Sequence, residues 1–336
     1  MRTIKEIARA AGVSVTTVSN VINGNLKHVS DEKVRLIRDL IRRSGYIPNQ
    51  AARSLAQRES RFVAIIIQGG EDENAFLNPY NAAYVGALTM RLYEYGYYPL
   101  IRVTDDFKTI EADIRGWNVA GVLFNGSFNR HLRNINSLPP IPSVFTDCYF
   151  DLPGVNRVGL DDDAAGRMAG DYLAGMGHRR IGFFASILPD SDVDRHRLEG
   201  LRQGLEKRGL SIPDAWVIPN ADMELEYDHV AAILRDPQGP TAFFCSADKL
   251  AIILTHVANT LGLRVPEDIS VLGFDDLPIA SLVTPRLTTI AQDLDQKASL
   301  TVGMLVRHID DKSLPPERVT LDVHVVERDS VARLAE

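Results

Sequence analysis

The stretch T-I-K-E-I-A-R-A-A-G-V-S-V-T-T-V-S-N-V-I-N-G (residues 3–24) holds two helical patterns separated by a glycine. Ile4, Ile7, Ala8 and Ala11 recur at the spacing of one helical face. Thr3 and Glu6 form the T-x-x-E of a capping box. Gly12 ends this helix, and Ser14 is placed to cap a second carrying Val15, Val18, Val21 and Ile22. Asn23-Gly24-Asn25 closes it. A third helix follows, with Ser30 as its cap, Val34, Ile37, Leu40 and Ile41 as its apolar face, and Gly45 just past its end. The first 46 residues therefore read as a small all-α head.

Outward from the head, Pro48 to Arg61 contains A-A-R-S-L-A-Q-R, with helix-forming residues but almost no apolar face. A short isolated helix of this kind is unstable in water, so the segment reads as a linker that folds only against a partner. From Phe62 onward short apolar runs alternate with helical patterns. The runs are F-V-A-I-I-I, Y-P-L-I-R-V, V-A-G-V-L-F, P-S-V-F-T-D, R-I-G-F-F-A, T-A-F-F-C-S and I-S-V-L-G-F-D. Helical segments between them include Asn81–Tyr95, Ala164–Met176, Arg197–Arg208 and Leu250–Leu261. Continuously apolar strands alternating with helices imply parallel sheets covered on both faces. Seven such strands fit one sheet or two, and the reset at V-G-L-D (158–161) favours two lobes.

The chain has 336 residues, 45% hydrophobic and 24% charged, an ordinary globular composition. No apolar run reaches the roughly 18 residues of a membrane span, and polar residues interrupt any signal-peptide core in the first 30. Cys148 and Cys245 fit a reducing compartment, so the expectation is a soluble cytoplasmic protein. Residues 1–60 carry 11 Lys and Arg against 5 Asp and Glu, whereas the remainder carries 26 against 39. A basic head on an acidic body suits a polyanion at the head alone, or is simply a solvated basic surface.

Several apolar strands finish in polar groups: Gln68, Asn125, Asp147, Ser246 with Asp248, and Asp275-Asp276. Ligands of open α/β sheets bind beyond the carboxyl ends of the strands. Asp147 and Asp275 can accept hydroxyl hydrogen bonds and Arg197 can donate several, a set suited to a polyhydroxylated ligand. Each of these groups could equally cap a loop or the next helix. No G-x-G-x-x-G, G-x-x-x-x-G-K, H-E-x-x-H or G-x-S-x-G occurs. The histidines, including His178 and His196, are scattered and read as surface or packing residues. Without a companion nucleophile or metal set, the acid pairs Asp161–Asp163 and Asp275-Asp276 read as helix caps. No enzyme activity, cofactor or metal is expected.

These motifs resemble the LacI family over nearly the full length. The head contributes A-G-V-S-V-T-T-V-S-N, and G-Y-I-P-N-Q-A-A-R-S-L follows downstream. The body adds M-G-H-R-R-I-G, R-L-E-G, V-P-E-D-I-S-V-L-G-F-D-D, L-T-T-I-A-Q-D and E-R-D-S. The resemblance implies a helix-turn-helix head (1–46), a hinge helix (47–60), and a two-lobed α/β body like periplasmic binding proteins with two parallel sheets. The first lobe would take 61–160 and 289–320, the second 161–288 and 321–332.

By the same resemblance Val15, Thr16 and Asn20 occupy base-reading positions. Thr3, Ser14, Thr17, Ser19, Asn23, His28 and Ser30 belong to the DNA-contacting set, mostly at phosphate positions. Asn20 stands where the family usually has Arg, which points to a different operator preference. Asn49, Ala52 and Leu55 fall in the hinge, with Leu55 as the minor-groove wedge. Asp147, Arg197 and Asp275 fall at ligand-contacting positions, Asp248 beside the pocket, and Phe76 and Tyr80 in an apolar or stacking wall. Ala247 replaces a polar residue common in the family. The implied partners are pseudo-palindromic operator DNA, a mono- or oligosaccharide, and a second copy of the chain; with no leucine heptads after Ser330, the expectation is a homodimer. Two rival readings are a periplasmic-type sugar-binding protein, which the basic head opposes, and a DNA-binding protein without an effector.

Overall fold

The computed structural model describes residues 3–22, 24–46, 60–70, 74–104, 106–126, 141–149, 154–185, 192–219 and 223–334. The chain divides into two compact units, 1–60 and 61–336.

In the first unit α1 is Ile4–Ala11, α2 Val15–Ile22 and α3 Asp31–Ser44. The capping box forms as the sequence implies: the Glu6 backbone N–H donates to the Thr3 hydroxyl (3.3 Å), and the Thr3 N–H donates to Glu6 Oε2 (2.9 Å). Gly12 ends α1 in the left-handed region at φ 63°, and Gly45 ends α3 at φ 61°. The Ser14 hydroxyl accepts from the Thr17 N–H at 3.1 Å. Ser30 departs from expectation. It occupies the cap position of α3 in extended backbone, but its hydroxyl makes no capping bond. Asp31 and Glu32 in the first turn place negative charge at that helix end instead. Ile7, Ala8, Ala11, Val18, Val21, Val34 and Ile37 form the buried core of this unit.

The second unit opens with β1 (Phe62–Ile67), α4 (Pro79–Glu94), β2 (Tyr98–Val103), α5 (Phe107–Trp117), β3 (Gly121–Asn125), β4 (Ser143–Thr146) and β5 (Asn156–Leu160). It continues through α6 (Asp162–Gly175), β6 (Ile181–Ala185), α7 (Asp192–Glu206), β7 (Val217–Pro219), α8 (Met223–Arg235), β8 (Ala242–Cys245), α9 (Asp248–Thr260) and β9 (Ser270–Asp275). The remainder is β10 (Thr288–Ala291), α10 (Leu294–Asp310), β11 (Arg318–Leu321) and β12 (His324–Val326).

Two six-stranded sheets result, ordered β11-β5-β4-β3-β1-β2 and β12-β10-β9-β8-β6-β7. All pairings are parallel except β10 with β12. Apart from the edge strand β2, which has no buried residue, the expected apolar strands are buried almost throughout, as their continuous hydrophobicity requires. In β1, Val63, Ile65 and Ile67 face one core, while Ala64 and Ile66 face another with Ile110 and Ile114 of α5.

All seven expected strands form. Five more were not legible: β5, β7, β10, β11 and β12 are only three to five residues long. The four expected helices start two to five residues early, at Pro79, Asp162, Asp192 and Asp248. Asn78 and Asp161 cap the first and second of these helices, while Ala247 precedes the last without a side-chain cap. The return to the first lobe also shifts. β10 still belongs to the second sheet, so the crossing follows Ala291 rather than preceding residue 289, and Leu321 still belongs to the first sheet.

Candidate functional site

The carboxyl ends of the parallel strands carry the polar groups that define the site. Asp147 follows β4 of the first sheet, and Asp275 ends β9 of the second. Both are off the usual backbone regions, at φ 57° and φ 114°, with Asp276 at φ 57°. Such positions cost on the order of 1–3 kcal/mol and cluster at ligand sites.

Lys297 of α10 connects these two ends. Its ammonium donates to Asp147 Oδ1 (2.6 Å), to the Tyr80 hydroxyl (2.8 Å) and to Gln292 Oε1 (3.3 Å). The Tyr80 hydroxyl donates to Asp147 Oδ2 (2.7 Å), and Gln292 Nε2 donates to Asp275 Oδ1 (2.6 Å). An unbroken chain Tyr80–Asp147–Lys297–Gln292–Asp275 thus runs from the first sheet to the second. Burial pushes the Asp275 carboxyl up to about 8, against the opposing pull of the Arg197 guanidinium.

Arg197 comes from α7. Its Nε donates to Asp162 Oδ1 at 2.6 Å, one Nη donates to the Ser246 carbonyl, and its guanidinium lies 3.4 Å from the Phe274 ring centroid. Burial raises the Asp162 carboxyl, and Arg197 opposes that shift. Glycines let α6 and α7 approach this closely: a Cβ at Gly166 would strike the Arg197 carbonyl, and one at Gly200 the Asp163 carbonyl.

Tyr80, Asp147, Arg197 and Asp275 are thus linked by direct bonds or close charge interactions. Asp248 is fully buried, and both its oxygens serve the fold: Oδ2 accepts from the Leu277 N–H (2.8 Å) and Oδ1 from the Thr289 hydroxyl (2.6 Å). It is the first residue of α9, and burial lifts it to about 6. Phe76 lies on a short 3-10 turn, Ala75–Leu77, and is 39% exposed.

Among the acid pairs, Asp161 caps α6 as expected, but Asp163 pairs with His196 (2.8 Å) and Asp276 with Arg328 (2.6 Å) rather than capping. His178 is a packing residue, bonded to Thr241 and the Ala332 carbonyl. Lys297, Gln292 and Asp162 were missed as site residues. A signal existed for Lys297: it shares helical spacing with Ala298, Thr301, Met304 and Leu305, so a cation stands on a buried face.

In the head, the first turn of α2 is open. Ser14, Val15 and Thr16 are exposed, with Val15 at 40%, and Thr17, Ser19 and Asn20 are half-buried. Thr3, His28 and Ser30 are exposed. Asn23, Asn49, Ala52 and Leu55 lie outside the described residues. Among the described residues no cluster of three or more His, Cys, Asp or Glu is arranged to hold a metal, and no helix is long and apolar enough to cross a membrane.

Comparison with known proteins bears on both units. The profile "Bacterial regulatory proteins, lacI family" matches residues 3–49, and "Periplasmic binding protein-like domain" matches 171–331. The chain is 30% identical to the ribose operon repressor of Escherichia coli K12 over 98% of this chain and 100% of that one. It is 31% identical to the HTH-type transcriptional repressor PurR of Proteus mirabilis HI4320, covering 99% and 97% of the two chains. Among solved structures, a transcriptional regulator CelR–cellobiose complex is 27% identical, with a TM-score of 0.70 and coverage of 98% and 100%. The Lac repressor dimer bound to operator and an anti-inducer is 23% identical, covers 98% and 99%, and shares the fold at a TM-score of 0.85. The relatives named here are transcriptional regulators and not enzymes. A helix-turn-helix head followed by a periplasmic-binding-protein-like body, matched end to end by these repressors, places the chain in the LacI family of bacterial regulatory proteins.

Proposed function

We propose that this protein is a cytoplasmic, dimeric repressor whose operator affinity is set by a sugar bound between the lobes of residues 61–336. The observation that carries the ligand reading is the pair Asp147 and Asp275. They stand at strand ends of different sheets on unusual backbone and are joined through Lys297 and Gln292. Carboxylates, an amide and a guanidinium gathered at strand ends suit hydroxyl groups, which both donate and accept. The ribose operon repressors and the cellobiose-bound regulator among the relatives support the same class of ligand.

On the DNA side, the exposed first turn of α2 offers Val15 and Thr16 to base edges, with Asn20 on the following turn. Thr3, Ser14, Thr17, Ser19, Asn23, His28 and Ser30 serve the backbone, and Asn49, Ala52 and Leu55 form the hinge contact. Ligand binding couples to DNA by favouring one arrangement of the lobes over another.

The test is a carbohydrate panel read by thermal shift, followed by operator binding with the best hit. One sugar should raise the melting temperature, and go on raising it with the logarithm of its concentration above Kd, and should change operator affinity at least roughly fivefold, the lower range of allosteric coupling. Operator affinity indifferent to every sugar that binds would overturn the reading.

A further inference from the structure

Lys297 is only 1% exposed, yet its side chain lies among the groups expected to bind the ligand. An ammonium has three N–H donors. Asp147, Tyr80 and Gln292 supply three acceptors, so no donor is left over. Arg197 is likewise committed to Asp162 and to the Ser246 carbonyl. Each buried cation of the cleft therefore has a carboxylate of its own. Asp275 remains, held by Gln292, and Asp194 adds negative potential beside Arg197. A phosphate or carboxylate arriving here would meet cations whose charge is already paired, Lys297 with Asp147 and Arg197 with Asp162, and would face the Asp147 carboxylate. An uncharged hydroxyl finds free lone pairs on both carboxyl groups and further N–H donors on Arg197, which has five and uses two here.

We infer that Lys297 fixes the charge class of the ligand: by neutralising Asp147 it makes the cleft a site for an uncharged polyol, not for a sugar phosphate or a sugar acid. This rests on the cleft reading of the proposed function. It assigns to one lysine a choice that the carboxylates alone would leave open, because Asp147 without its partner would favour a cationic ligand. A buried charge stripped of its partner seeks another.

The experiment uses the full chain and matched probes: ribose with ribose 5-phosphate, and glucose with glucose 6-phosphate, gluconate and glucosamine, together with cellobiose. Binding is measured by calorimetry and thermal shift. For the parent chain a neutral member should bind, with its phosphate or acid at least roughly tenfold weaker. Lys297→Met should weaken the neutral hit by roughly tenfold or more and raise glucosamine relative to glucose. Asp147→Asn leaves Lys297 without its carboxylate and should move the ranking the other way, raising the phosphates relative to their parents. Because the two variants shift the preference in opposite directions, either alone tests the idea if the other fails to fold. A charged probe that outbinds its neutral parent in the unaltered chain overturns this inference and leaves the cleft reading standing. So does a parent ranking that every folded variant keeps. Silence from the whole panel overturns the cleft reading, and this inference with it.

Discussion

At Asp275 burial, with the charge of Asp248 acting in the same direction, changes the chemistry of an ordinary carboxyl. In an unfolded chain an aspartate loses its proton near ~3.9. In the folded chain burial holds the proton up to about 8, with Arg197 opposing and Gln292 bonded to one oxygen. Between those values the folded state binds more protons than the unfolded state, so stability falls as pH rises. This contribution is complete below the unfolded value and gone above about 8. Asp275→Asn mimics the protonated carboxyl and removes the dependence. Melting temperatures of the two proteins, compared between about pH 5 and about pH 8.5, should therefore diverge, with the unaltered chain losing ground as pH rises. Parallel curves would mean that Asp275 is already ionised in the folded state.

The pairing of α6 with α7 decides where Arg197 stands. Gly166 and Gly170 on one helix meet Gly200 and Gly204 on the other, each four residues apart, so the backbones approach without Cβ atoms between them. The ion pairs Asp162–Arg197 and Asp163–His196 join the same two helices. Gly166→Ala would drive a methyl into the Arg197 carbonyl, which is backbone and cannot rotate away. The expected cost is about 1–3 kcal/mol, typical of overpacking, read as a lowered melting temperature. Displacement of α7 should also weaken the sugar hit from the panel, whereas Gly175→Ala on the same helix, with open space around it, should do neither. These glycines sit in A-A-G-R-M-A-G and R-L-E-G-L-R-Q-G, where their spacing was visible but their partner was not.

Across the molecule, several large apolar side chains stand exposed along one edge of the first sheet. Tyr98 and Ile101 lie on β2, the edge strand of its sheet, each 45% exposed, and Met90 and Tyr93 of the adjoining α4 are 63% and 51% exposed. The Tyr93 and Tyr98 rings are in edge contact at 6.0 Å. Exposed apolar side chains beside a sheet edge mark an association site, and a second copy of the chain is the partner that the proposed dimer requires. Ile101→Asp should yield a monomer in sedimentation equilibrium at micromolar concentration, with the melting transition of the body retained. A dimer of unchanged strength would place the interface elsewhere.

The three-helix head is legible residue by residue, because its caps and apolar spacings are local and each helix reports its own ends. So are the alternating strands and helices, since strands buried on both faces must be apolar throughout. Asp147, Arg197 and Asp275 were legible as strand-end or family-position residues. What these side chains bond to is set by packing between distant elements. Asp248 is polar at a strand-to-helix junction like the others, but packing turns it inward to hold Leu277 and Thr289. Lys297 looked like one more charge in a helix, and only the approach of α10 to Tyr80, Asp147 and Gln292 makes it the centre of the cleft. Periodicity records which way a residue faces along its own element; what it meets there depends on segments as much as 217 residues away, as for Lys297 and Tyr80.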